Sequence, residues 1–117
     1  MQNSNIMKAS LAIATGLILS VSGSAAFAAA DANAAKAFAK KNDCFKCHAV
    51  DKTKKGPSYQ KINAKIKKEN IADAKLFEHL TKSSKVKLED GTEEEHKALD
   101  KKDADKINNL IQWIKEQ

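Results

Sequence analysis

The run Asp43-Cys44-Phe45-Lys46-Cys47-His48 holds both cysteines of a 117-residue chain and one of its three histidines. It constrains the fold more than any other feature. A small domain buries only a modest core and often leans on a cross-link, a metal or a bound group for support. What two thiols three positions apart can hold therefore decides what this polypeptide can become.

The folding unit is shorter than the whole chain. Met1–Ser10 carries one charge, Lys8; Leu11–Val21 is an uncharged apolar run; and the small residues of Ser22–Ala30 offer Ala-x-Ala sites ending at Ala28 or Ala30. This order predicts a cleavable secretory signal peptide over residues 1–28. An apolar stretch of about a dozen residues falls short of the ~20 a spanning helix needs, so no stable membrane insertion is expected after cleavage. Removal leaves one domain, 29–117, of 89 residues, or 87 with cleavage after Ala30. Export points to the periplasm.

In an exported chain the two thiols have four chemistries open to them. A disulfide closing a two-residue loop would constrain the unfolded chain little. A redox dithiol wants a strand-rich context of the thioredoxin kind, which the chain lacks. Zinc needs four ligands, and there is no second cysteine pair. Covalent haem uses every residue of the motif. The thiols of Cys44 and Cys47 add to the two vinyl groups as thioethers, and a tight turn brings His48 beneath the iron as an axial ligand. One haem c is the predicted cofactor.

Four helices and no strand are expected, an all-α fold. Ala32–Lys41 places Ala35, Phe38 and Ala39 on one side. A second helix follows Pro57, with Ser58 near its start and Tyr59, Ile62 and Ile66 at helical spacing. Asp73–Lys82 presents Leu76, Phe77 and Leu80. The last runs to the end from a candidate cap at Asp103, with Ala104, Ile107, Leu110, Ile111 and Ile114 recurring every three or four residues. Two polar connections remain, Val50–Gly56 and Ser83–Lys102, the second long enough to carry function or wrap around something.

Phe38, the motif CFKCH, the continuation HAVDKTKKGPSYQKI and a last helix containing Trp113 resemble the small bacterial class I cytochromes c over nearly the whole exported chain. The resemblance implies a compact fold of about four helices wrapped around the haem. It also implies that the Pro57 carbonyl accepts the ring N–H of His48, which fixes the imidazole tautomer and raises its basicity. Phe38 and Trp113 correspond to the aromatic contacts where first and last helices cross.

One departure matters. Such proteins usually complete the iron with a methionine on the loop before the last helix, yet Met1 and Met7 are the only methionines here and both leave with the signal peptide. His96, 17 residues before Trp113, stands about where that methionine belongs and is the first candidate for the sixth ligand. His79, on the flank of the third helix and expected to face solvent, is the second; an open iron is the third. A second imidazole in place of a thioether predicts a lower reduction potential, and the acidic run Glu89, Asp90, Glu93, Glu94 and Glu95 would push the same way.

With Lys8 removed, twenty lysines face fifteen carboxylates, a net charge of +5. Lys46, Lys52, Lys54 and Lys55 cluster near the motif and could steer redox partners with acidic docking surfaces. Nucleic acid is not expected as a partner, because the chain is exported and its lysines are interleaved with acids. The expected protein is a soluble, monomeric periplasmic carrier of single electrons, with no enzymatic activity. The alternative is a haem protein whose sixth site is open or displaceable and binds oxygen or nitric oxide.

Overall fold

The computed structural model describes residue 16 and residues 29–117. The predicted signal peptide, residues 1–28, lies outside the described residues apart from Gly16. Four α-helices form the frame: α1 (Ala32–Lys41), α2 (Tyr59–Glu69), α3 (Asp73–Thr81) and α4 (Ala104–Ile114). Among the described residues no helix is long and apolar enough to cross a membrane.

The first two helices start at a side-chain cap. The Asp31 side chain accepts from the Ala34 amide, and the Ser58 hydroxyl accepts from the Lys61 amide, satisfying donors that have no partner inside the helix. The predicted cap at Asp103 is corrected in one respect. Asp103 occupies the capping position of α4 without a side-chain hydrogen bond. The capping carboxylate is that of Asp100, which accepts from the Lys102 amide at 3.0 Å and starts a 3₁₀ turn, Lys101–Asp103, leading into α4.

The core is the α1–α4 crossing, extended by α2. Ala35, Phe38 and Ala39 of α1 meet Ile107, Leu110, Ile111, Trp113 and Ile114 of α4, with Tyr59, Ile66 and Leu99 completing the cluster. Trp113 is buried and packs edge-on against Tyr59 at 5.1 Å and Phe45 at 6.4 Å between ring centroids. Small alanines on α1 let the two helices approach closely. At the open end of this crossing, the Asp31 amide donates to Asn109 Oδ1 and Asn109 Nδ2 donates to the Asp31 carbonyl, both at 2.9 Å. Asn109→Ala removes both hydrogen bonds and is expected to destabilise the holoprotein by about 1–3 kcal/mol, read from the urea midpoint.

The expectation of no strand is corrected. The connection Ser83–Lys102 contains an antiparallel ribbon of β1 (Lys85–Lys87) and β2 (Glu93–Glu95). The register pairs Lys85 with Glu95, Val86 with Glu94 and Lys87 with Glu93, so opposite charges face each other at both ends. The turn passes through Asp90-Gly91, with Gly91 at φ +85°.

Candidate functional site

The motif turn begins where α1 stops. Asn42 caps the helix by donating from its amide and from Nδ2 to the Phe38 carbonyl. Asp43 then takes a left-handed conformation, φ 62°, and throws Cys44–Lys46 into a 3₁₀ turn. The Cys44 carbonyl accepts from both the Cys47 and His48 amides, at 3.2 and 2.9 Å, which closes the turn. Cys44 and Cys47 are both unpaired and half-buried.

His48 is held from three sides. Its Nδ1 lies 2.7 Å from the Pro57 carbonyl, so this nitrogen carries the proton and Nε2 is left as the lone pair. The Tyr59 ring lies alongside, 5.3 Å between centroids. Gly56 closes the third side: a Cβ there would sit 2.8 Å from His48 Cε1 and 3.1 Å from Nδ1. The loop that brings these groups in is laced back to the motif, the Gly56 amide donating to the Cys47 carbonyl and the Tyr59 amide to that of Ala49. Gly56→Ala is expected to push the imidazole out of place and to destabilise the protein by about 1–3 kcal/mol, measured as a lower thermal midpoint.

His96 and His48 both line a cavity of about 900 Å³. The two ring centroids are 6.3 Å apart and the planes are inclined by 48°. His96 Nδ1 lies 3.1 Å from the Lys97 carbonyl, again leaving Nε2 as the lone pair. Burial holds the His96 imidazole below its ordinary pKa, with neighbouring His79 and His48 acting the same way, so the ring is kept neutral. Burial likewise pushes the Cys44 thiol up, against the adjacent Tyr59 hydroxyl, and keeps that sulfur protonated.

The structure therefore gathers Cys44, Cys47, His48, Pro57 and His96 around one cavity. Its walls are apolar, with Ile62, Ile66, Ile71, Leu76, Leu80, Leu99 and three residues of α4. Its size is in the range of sites that bury a large organic ligand. Two unpaired thiols, an imidazole cradled where a glycine is obligatory, and an apolar chamber between two imidazoles fit covalent haem c. His79 meets the expectation of exposure and adds to it. It is exposed, but it lines the cavity and its ring lies 4.8 Å from that of His96. Sequence reasoning gave Leu99 no role and Tyr59 only a helical one. Leu99 had no periodic neighbours to mark it, whereas Tyr59, two residues beyond the Pro57 that meets His48, carried a usable signal.

The charged residues are distributed unevenly. Glu89, Glu94 and Glu95 of the acidic run line the cavity. In the basic cluster, Lys46 pairs with Asp43 at 3.3 Å and the Lys54 ammonium donates to the Phe45 carbonyl, while Lys52 and Lys55 are exposed. Lys61, Lys65 and Lys75 add positive charge at the cavity rim.

A family model for cytochrome c matches residues 32–116. The crystal structure of the class 1 cytochrome MtoD from Sideroxydans lithotrophicus ES-1 superposes with a TM-score of 0.70 at 48% sequence identity. That match covers 75% of this chain and 97% of the other. No match was found among curated proteins.

Proposed function

The chain belongs to the cytochrome c family and binds one haem c, and from that premise we propose that it carries single electrons between redox proteins of the bacterial periplasm, as an exported monomer that turns over no substrate. The haem supplies a metal centre that takes up and returns one electron. Cys44 and Cys47 would hold it through thioethers at the motif turn. His48 and His96 would each offer an imidazole nitrogen to the iron, and the Pro57 carbonyl keeps the His48 proton on Nδ1. A ligand set that stays the same in both oxidation states leaves little to rearrange when an electron moves. The exposed lysines near the motif and at the rim suit acidic docking surfaces, weakly and in a salt-dependent way.

What supports two imidazole ligands above all is the facing of His48 and His96. Two imidazoles sharing one metal ion, each nitrogen about 2 Å from it, would have ring centres up to roughly 6 Å apart. The observed separation is 6.3 Å, and both Nδ1 atoms are occupied by backbone carbonyls. Without a thioether ligand the carrier works at low potential.

Low-temperature EPR of the ferric holoprotein is expected to show a low-spin centre of the bis-imidazole type, and the reduced protein is expected to resist carbon monoxide. A high-spin ferric signal with rapid, complete carbon monoxide binding would instead establish a small-ligand-binding haem protein. That second reading draws on the setting of His96, which follows an exposed ribbon and lies on no helix.

A further inference from the structure

Building on the two-imidazole reading above, we propose that His79 is a positioning residue that fixes the plane of the His96 ring, and through it the angle between the two axial imidazoles.

Backbone contacts place the loop that carries His96 but leave its ring free to turn. The His96 amide donates to the Ser84 carbonyl and the Leu99 amide to the Leu80 carbonyl, each at 2.7 Å. Neither bond restricts rotation about the bond joining the ring to its side chain, a torsion with broad minima. The ring orientation is therefore set by what lies beside the ring. One such neighbour is the Lys97 carbonyl, which belongs to the same loop and travels with it. The other is His79, whose ring lies 4.8 Å away at 40°.

His79 has an independent anchorage. It sits on α3, and α3 is fastened to α4 by Asp73, whose carboxylate accepts from Gln112 Nε2 and from Lys115 Nζ, both at 2.8 Å. On the opposite face His48 is already immobilised by Pro57, Gly56 and Tyr59. The 48° between the two planes is thus held at one end by the motif loop and at the other by α3 through His79. That angle decides how the nitrogen π orbitals of the two rings share the iron d orbitals, and the anisotropy of the ferric EPR signal reports it directly. Packing against a side chain carried on an anchored helix is one way outer residues orient metal ligands.

Ferric EPR at low temperature on wild-type holoprotein, His79→Ala and His79→Phe tests this. His79→Ala is expected to keep a low-spin signal whose largest g value is shifted and broadened, because the His96 ring samples other angles. His79→Phe puts a flat ring back in the same place and is expected to restore the wild-type signal. A His79→Ala spectrum superimposable on wild type overturns the proposal, as does a His79→Phe spectrum displaced as far as that of His79→Ala. The double variant His79→Phe/His96→Ala separates the premise from the inference. If it remains low-spin, His96 is no ligand and both fail; if it becomes high-spin while His79→Ala matches wild type, only the role of His79 fails. A high-spin His79→Ala would make His79 itself the ligand and overturn both.

Discussion

The reduced double variant His79→Phe/His96→Ala is expected to bind carbon monoxide rapidly and completely, where the wild-type protein is inert. Removing the His96 imidazole deletes the ring whose centre lies 6.3 Å from that of His48. The partner substitution is needed because His79 stands only 4.8 Å from His96 and could swing into the freed position. The ferric form should change from low to high spin with the same mutations. Where the iron is given a thioether instead, by His96→Met, the reduction potential should rise by on the order of 0.1 V, a fraction of the roughly 0.8 V that axial ligation spans. An unchanged potential in a variant shown to be Met-ligated would mean that the acidic lining and the burial of the site, rather than the ligand atom, set its value.

Exchanging both motif thiols for alanine, Cys44→Ala with Cys47→Ala, is expected to leave no covalent porphyrin mass and little stable helix. The magnitude follows from the chamber. Without the haem, the apolar walls of a chamber of about 900 Å³ are left facing water, and a typical small protein has only about 5–15 kcal/mol of stability to lose. Ile66, Leu99, Leu110, Ile111 and Ile114 belong at once to the core and to the cavity lining, so the two cannot be separated. Circular dichroism and mass spectrometry check both halves; a cooperative, native-like melt of the thiol-free apoprotein would show that the helices pack without the haem.

The helices were legible because their causes are local. Ser58 before Tyr59, and alanines flanking Phe38, state where α2 starts and which face of α1 turns inward, and no distant contact is needed to decide either. The motif was legible for the same reason, since its turn is closed by hydrogen bonds within five residues. The ribbon was not. Lys85-Val86-Lys87 has one apolar residue and Glu93-Glu94-Glu95 none, so no alternation marks them as strands; Asp90-Gly91 was the one cue to a hairpin. His79 was named as a second candidate ligand, but its place beside His96 escaped for a different reason. A helical wheel measures a residue against the core, and from there His79 points away; the loop bearing His96 folds over that outer flank, which a wheel cannot register.

The ribbon also bears on how the molecule meets its own copies. Both outer edges of a two-stranded sheet keep unpaired backbone donors and acceptors, a standing invitation to add another strand. Two copies related by a two-fold axis would set β1 against β1 or β2 against β2, lysine opposing lysine or glutamate opposing glutamate. Like charges would thus meet along either edge, which disfavours pairing of two copies through the ribbon.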